Sequence, residues 1–367
     1  MVQFPKRPVF NPPLSEFWHL IGYRYFSTHT KIEGSAQEIC EAIVEQCWNG
    51  TFYRTSTGNF DYFWIRDFAA VSESLCALGH QDRVIATLKW ALTHYMNHDA
   101  ITLCITPKGR LFNAPTSGID TLPWLIHAIW TAGYELNPDE RAFLISKLGE
   151  YQEDFIDPIT GHLVSRIGFA ELRDSVLYDR SAYAVALIGH MAKCCERLGL
   201  DEAFPHTSAV YHDVLRTHYW NGHYFSADYK NQAFSAESAL MPFALGLIED
   251  AEKLKETLDY IRDHRLASPY PMKYTDTPRS FRYRLWAKTI MRNYAGDTIW
   301  TWHGAYYLRL LRAQNHPETE TQEKSFATMI EHHQTFPELL HPDGTLYKSF
   351  IYKSSEGMIW AALYVDL

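Results

Sequence analysis

The sequence contains no apolar stretch that approaches the roughly 20 uninterrupted residues of a membrane-spanning helix. No apolar segment follows Lys6 and Arg7 near the amino terminus, so no signal peptide is expected. Basic residues are in the minority, because 34 Lys and Arg against 43 Asp and Glu give a formal net charge of −9. These features argue against a nucleic-acid partner and against a membrane partner.

Cysteine is scarce and lacks metal or disulfide spacing. The six cysteines lie mostly in apolar, helix-like segments and form no Cys-x-x-Cys pair. We interpret them as reduced and buried, which is typical of a cytoplasmic protein. The 18 histidines include no His-Glu-x-x-His motif, so no metal and no other cofactor is predicted. A glycine-rich phosphate loop is missing too, which disfavours a kinase.

Aromatic residues, in contrast, make up 15% of the chain. Such residues fill large helical cores, but they also line sites for flat, amphipathic ligands such as sugar rings. The densest cluster is at residues 60–64, directly before Arg66 and Asp67. Because a buried charge is costly unless it is paired, this segment predicts one of two arrangements. One is an ion pair that caps a helix, and the other is an aromatic pocket in which Arg66 and Asp67 bind sugar hydroxyls.

Apolar residues recur at i, i+3 and i+4 spacing in twelve segments, which predicts a helical chain without a main sheet. The predicted helices are residues 36–48, 67–79, 81–97, 118–133, 138–154, 180–198, 203–218, 237–249, 251–265, 297–315, 319–334 and 353–366. Residues 1–35 show no period and are predicted to form a short irregular arm. Residues 36–367 are predicted to form a single domain on which this arm packs.

Short and long connections alternate between these helices. Joins such as Gly79-His80 and Gly199-Leu200 are short, whereas residues 49–66, 98–117, 155–179, 219–236, 266–296 and 335–352 form long loops. Six hairpins joined in this way predict a closed ring of inner and outer helices, an all-α (α/α)6 toroid. All the long loops then lie at one end, where long loops are usually functional. The alternative is an open helical-repeat solenoid that binds protein partners.

The segments before the predicted inner helices resemble the (α/α)6-barrel glycoside hydrolases. That group includes trehalase, the glycogen debranching amylo-1,6-glucosidases, the processing α-glucosidases and the neutral or alkaline invertases. The resemblance extends from about residue 59 to 367 in short, degenerate motifs: residues 63–67, 117–124, 173–175, 296–302, 336–339 and 356–360. One difference is Arg173, which stands where the family often has Trp before the acidic residue.

The resemblance implies two catalytic carboxyl groups. Asp174 is predicted as the general acid, with Asp179 as the alternative. Glu338 is predicted as the general base, and Glu356 is the competitor for that role. The substrate-binding residues implied are Tyr62, Trp64, Arg66, Asp67, Asp120, Trp124, Arg180, Trp300, Trp302, His303 and Glu356, in which the carboxylates and guanidinium groups bind hydroxyls and the aromatics offer stacking surfaces.

These features predict an inverting, cytoplasmic glycoside hydrolase that acts without a cofactor on a small α-linked glucoside. Such an enzyme needs one carboxylic acid to protonate the leaving oxygen and one carboxylate to activate water. A sugar isomerase or epimerase on the same fold is the second hypothesis, with His303 as its acid or base. A non-catalytic helical binding protein is the third. Glycone, linkage, leaving group and oligomeric state remain open at this stage.

Overall fold

The computed structural model describes residues 14–27, 31–164 and 169–367. Within these ranges it has fourteen α-helices and five two-residue strands. The helices are α1 Leu14–Phe26, α2 Ala36–Cys47, α3 Ile65–Ala77, α4 Gln81–Asn97, α5 Thr121–Thr131, α6 Pro138–Phe155, α7 Ala182–Leu198, α8 Ser208–Val214, α9 Ala236–Ala244, α10 Ala251–Asp263, α11 Leu285–Thr289, α12 Thr301–Ala313, α13 Thr319–His333 and α14 Ala361–Val365. The strands are β1 Phe63–Trp64, β2 Cys104–Ile105, β3 Leu111–Phe112, β4 Ile299–Trp300 and β5 Leu339–Leu340.

Six helices form a closed inner ring. Helices α3, α5, α7, α9, α12 and α14 pack against one another in that order, and α14 packs against α3 again. The outer helices are α2, α4, α6, α8, α10 and α13. This arrangement confirms the predicted (α/α)6 toroid, and ring closure is incompatible with the open solenoid.

Burial explains which helices are inner and which are outer. In α7 almost every residue from Ala182 to Cys195 is buried, because neighbours cover all sides of an inner helix. In the outer helix α10 only Leu254, Thr257, Leu258 and Ile261 are buried, which is a single stripe. Side-chain caps define several starts, such as the capping boxes of Ser35 before α2 and Asn137 before α6.

Three predicted boundaries need correction. The predicted helix 353–366 begins only at Ala361, because the residues before it run along the loop end of the ring. Helix 237–249 ends at Ala244, two residues before Gly246 adopts a left-handed φ of 62°. Helix 203–218 is regular over Ser208–Val214 and then continues as a π-helical turn over Leu215–Tyr219.

The arm predicted to be irregular contains helix α1. Its sequence is aromatic on several sides, so the apolar spacing gives no clear stripe. Side chains dock it on the loops instead: His19 donates to the backbone oxygen of Asn59 at 3.0 Å, and Arg24 donates to that of Ser349 at 2.9 Å. Residues 1–13 and 28–30 of the arm lie outside the described residues. None of the helices in the described ranges has the length and apolar character needed to cross a membrane.

The short strands hold the long loops at the N-terminal ends of the inner helices. Strands β1, β2 and β3 form one antiparallel sheet, and β4 pairs with β5 so that Trp300 faces Leu339. Strand β1 runs directly into α3, and β5 begins directly after Glu338. The strands therefore fix the start of α3 and the position of Glu338 at the same end of the ring.

Candidate functional site

A buried ion pair links the first turns of three inner helices. Arg66 of α3 has its Nε 2.7 Å from Oδ2 of Asp120 and donates from Nη2 to Oδ1 at 3.0 Å, a two-point contact with the residue before α5. Tyr183 of α7 donates to Oδ2 of Asp120 at 2.9 Å. Trp124 donates from its indole to the Tyr183 hydroxyl at 2.8 Å. Both Asp120 oxygens are therefore engaged within the protein.

Asp174 lies next to this network in the loop before α7. Its Oδ2 is 3.3 Å from Nη1 of Arg66, and Arg284 donates to its backbone oxygen at 2.9 Å. Its Oδ1 has no hydrogen-bond partner among the residues that the structure describes. Burial raises the pKa of Asp174 to about 7, and the charge of Asp120 acts in the same direction, whereas Arg66 opposes both. A protonated carboxyl with an unused oxygen is what a general acid requires.

Glu338 lies in a separate hydrogen-bonded environment and is 2% exposed. Tyr294 donates to its Oε1 at 2.8 Å, while the Tyr352 hydroxyl and the Ser355 backbone N–H, the latter at 3.0 Å, donate to Oε2. Burial raises the pKa of Glu338 to about 7, although these three donors stabilise its charged form and lower it. The surrounding donors hold the group in one orientation.

Asp67 and Tyr294 connect the surroundings of the two carboxyl groups. Asp67 accepts a bond from the Trp360 indole at 2.9 Å, and burial, with the nearby charge of Glu338, raises its pKa to about 7. Burial also raises the pKa of Tyr294, and the negative charges of Glu338 and Asp174 both add to that effect. Asp174 and Glu338 therefore lie within electrostatic reach of the same side chain.

The predicted aromatic platforms fall into two groups. Trp124 and Trp302 are 0% and 1% exposed, so they support the site from behind and present no open face. Trp300 is also buried and donates from its indole to the backbone oxygen of Tyr294 at 3.1 Å. Tyr62 and Trp64 are only half-buried, which leaves part of each ring surface accessible.

Arg180 and Asp179 pair on the side of the site near loop 219–236. The Arg180 guanidinium lies 4.0 Å from the centre of the Tyr229 ring and 3.6 Å from Asp179. Asp179 is also 2.5 Å from Nζ of Lys230. Asp179 thus contacts two basic side chains, those of Arg180 and Lys230.

His303 and Glu356 are both buried, at 1% and 4% exposure. His303 packs edge-on against Tyr274, with 4.7 Å between ring centres, and burial lowers its pKa to about 3. Glu356 follows Ser355 on the loop that also contacts Glu338. Its backbone lies so close to Gly58 that a Cβ atom there would be 2.9 Å from the Glu356 oxygen.

Arg173 turns away from its neighbour Asp174 and anchors the loop. Its Nε donates to the backbone oxygen of Ala295 at 2.8 Å, and its guanidinium lies 4.0 Å from the centre of the Phe281 ring. It also donates to the Tyr178 hydroxyl at 3.2 Å. The arginine at this position thus positions the Asp174 loop.

Helix α1 lies across the loops that contain Glu338 and Ser355. Burial raises the pKa of Tyr23, and the charge of Glu338 adds to this, so the Tyr23 hydroxyl is near Glu338. Nζ of Lys353 lies 4.5 Å from the centre of the Tyr23 ring and donates to the backbone oxygen of Ser27 at 3.1 Å. Sequence analysis missed this contact because the arm has no motif and docks only after folding.

Several other functional candidates were not predicted. Trp360 lies inside the motif at residues 356–360 and Tyr294 in the long loop 266–296, but neither segment indicates which carboxylate the side chain contacts. Tyr183, Arg284 and Tyr352 stand outside the matching motifs, and each reaches the site from a different loop or helix. No local sequence pattern marks them.

Known structures with this fold include several enzymes that act on sugars. A glycosidase variant in complex with glucose matches with a TM-score of 0.62 and 11% identity, covering 97% of this chain and 98% of that chain. A rhamnosidase from Klebsiella oxytoca with rhamnose bound matches with a TM-score of 0.63 and 10% identity, covering 98% of this chain and 64% of that one. The GH63 mannosylglycerate hydrolase from Thermus thermophilus matches with a TM-score of 0.59 and 13% identity, covering 90% and 99%.

At these identities the matches establish a shared fold. The sequence itself matches no known family and no curated protein. The chemistry of this chain therefore depends on its own residues.

Proposed function

We propose that the protein is a glycoside hydrolase that cleaves a small α-linked glycoside with inversion. Asp174 is the general acid and Glu338 the general base. The observation that carries this proposal is a pair of carboxyl groups near Arg66 and Asp67. Asp174 is half-buried, with an oxygen that has no hydrogen-bond partner among the described residues, and Glu338 is buried and held by three donors. Two such groups are the standard requirement for glycoside hydrolysis.

The environments of the two carboxyl groups support different roles. The Asp174 side chain is 22% exposed, and among the described residues its carboxyl group contacts Arg66 alone, at 3.3 Å. Its pKa is raised to about 7, so part of the protein carries this proton near neutral pH. Glu338 accepts from two phenols and one backbone N–H, which favour its charged form and fix its orientation. Inversion is supported by the resemblance of the loop segments to inverting (α/α)6 enzymes.

The position of helix α1 over the site favours a small substrate. Tyr23 lies near Glu338, and a Cβ atom on Gly58 would come 2.5 Å from its hydroxyl, so α1 packs tightly over this side of the site. A polymer passing through the site would have to displace this helix. The half-buried Tyr62 and Trp64 rings, together with Arg66 and Asp67, supply stacking and hydroxyl-binding groups on the same loop. Sugars of the kinds named for the similar structures, glucosides, mannosylglycerate and rhamnosides, are the first compounds to test.

No observation favours the isomerase hypothesis. His303 is 1% exposed, and burial lowers its pKa to about 3, so its ring is uncharged at neutral pH and does not act as a cationic acid. The binding-protein hypothesis does not explain carboxyl groups whose pKa values are raised to about 7. Buried charge of this kind destabilises a protein and is typical of functional sites.

Proton NMR of the purified protein with these glycosides tests the proposal directly. Release of the β-anomer from an α-linked substrate in the first minutes is the expected result. Release of the α-anomer would contradict inversion while leaving hydrolysis intact. Interconversion of a free sugar without hydrolysis would favour the isomerase.

Two variant pairs test the assignment of roles. Asp174→Asn is expected to abolish hydrolysis, whereas Asp179→Asn retains most of it, because Asp179 is paired with Lys230. Glu338→Gln is likewise expected to abolish hydrolysis, and Glu356→Gln is the comparison, because Glu356 is the competitor for the role of base. Full activity of Glu338→Gln would show that the base has been misassigned.

A further inference from the structure

Three side chains with metal-binding atoms converge between inner helices α5 and α7. Nδ1 of His127, Nε2 of His190 and Sγ of Cys194 all lie within 4.8 Å of one another. His127 belongs to α5, whereas His190 and Cys194 are four residues apart on α7 and share one face of that helix. Nε2 of His190 is 2.9 Å from Nδ1 of His127 and 3.4 Å from Sγ of Cys194.

His190 is held in the tautomer that a metal ligand needs. Its Nδ1 lies 2.9 Å from the backbone oxygen of Leu245, at the end of α9. A carbonyl oxygen can only accept, so the proton is on Nδ1 and the lone pair of Nε2 points into the cluster. Histidines that bind metals almost always donate their second N–H to such an oxygen.

The same lone pair faces two hydrogen donors. Nδ1–H of His127 and S–H of Cys194 both point at Nε2 of His190, which can accept one good hydrogen bond. A metal ion among the three atoms would use all of their lone pairs. The thiol of Cys194 would then release one proton, and the proton of His127 would move from Nδ1 to Nε2 by exchange with solvent.

Burial and charge limit which ions fit. His127 and His190 are 6% and 4% exposed, so an ion held between them lies away from solvent. Lys193 adds positive charge nearby. A buried net charge is costly, so a thiolate with two neutral imidazoles suits Cu⁺, which gives a neutral complex, or Zn²⁺, which leaves one positive charge. Both ions bind nitrogen and thiolate ligands.

We propose that His127, His190 and Cys194 bind one thiophilic metal ion, Zn²⁺ or Cu⁺, that ties α5 to α7. The ion has a structural role and is separate from the sugar site. Trp124, whose ring centre is 5.3 Å from that of His127, lies one turn closer to the loops. The bound ion therefore stabilises the packing of α5 against α7, the two helices whose first turns hold Asp120 and Tyr183.

The chain supplies a matched control in Cys195. It is buried like Cys194 and follows it on α7, but it faces another direction on the helix. Protein stripped of metal is titrated with Zn²⁺ and, under reducing conditions, with Cu⁺, and bound metal is counted by elemental analysis. Co²⁺ is then used as a spectroscopic substitute, because a cobalt–thiolate bond gives a charge-transfer absorption band.

The expected result is one equivalent of Zn²⁺ or Cu⁺ per chain, a higher melting temperature and release of one proton. Cys195→Ser is expected to bind as the unmodified protein does, while Cys194→Ser loses the cobalt–thiolate band and binds at least about tenfold more weakly. If Cys194→Ser does not fold, His127→Gln provides the same comparison. Failure of the unmodified protein to bind either ion stoichiometrically would overturn the proposal, as would unchanged affinity in the variants.

Discussion

The substitution Asp174→Asn is expected to make the protein more stable while it removes activity. Asp174 is half-buried near Asp120, and loss of solvent around it together with the charge of Asp120 raises its pKa from 3.8 to about 7. The folded protein therefore keeps a proton that the unfolded chain has already released, so stability falls as pH rises from about 4 to about 7. Asparagine has a similar shape and no charge, and Arg66 keeps Asp120 as its partner.

The magnitude follows from the pKa difference. At 1.36 kcal/mol per pKa unit, ionised Asp174 lowers the free energy of unfolding by at most about 4 kcal/mol, and about 2.6 kcal/mol of this develops between pH 5 and pH 8. With an unfolding entropy of about 2.1 cal/mol/K per residue, 4 kcal/mol corresponds to roughly 5 °C in melting temperature for a chain of this length. Loss of a general acid should also reduce the rate roughly 10²–10⁴-fold.

Melting temperatures of the unmodified protein and the variant, measured by circular dichroism at pH 5 and pH 8, test this reasoning. The stabilisation by Asp174→Asn should be clearly larger at pH 8. Asp213→Asn on the exposed side of α8 is the control and should give the same small difference at both values. An Asp174→Asn variant that is no more stabilised at pH 8 than at pH 5 would refute the idea that Asp174 is held in a desolvated site.

Three further predictions concern the same site. The profile of kcat/KM against pH should be bell-shaped with its maximum near 7, because Glu338 must be charged and Asp174 protonated. On each side of the maximum the value of kcat/KM should fall about tenfold per pH unit. A flat profile between pH 5 and 9 would contradict both roles. Tyr352→Phe removes a donor that lowers the pKa of Glu338, so the acidic limb should move to higher pH while the alkaline limb stays in place. Tyr23→Ala should raise KM for a small glycoside about fivefold, equivalent to about 1 kcal/mol, with little change in kcat. An unchanged KM would show that α1 does not contribute to the site.

Local patterns in the chain were enough to determine the fold class. Apolar spacing located the twelve ring helices, and the alternation of short and long connections implied a closed ring. Both the spacing and the connection lengths depend on residues that are close together in sequence. The same local character explains the errors. Helix α1 lacks an apolar stripe, and helix 353–366 was predicted too long because tertiary contacts extend the loop before Ala361.

The candidate site was predictable only as separate segments. Arg66, Asp174 and Glu338 stand out by motif; sugar binding by Arg66 and catalysis by Asp174 and Glu338 stay predictions. The packing of successive inner helices brings Arg66 to Asp120 across 54 positions and His127 to His190 across 63. It also decides which carboxyl groups are desolvated, which phenols orient them and where α1 docks. These properties depend on distances through space between chain-distant residues, so they arise only when the inner helices pack around a common axis.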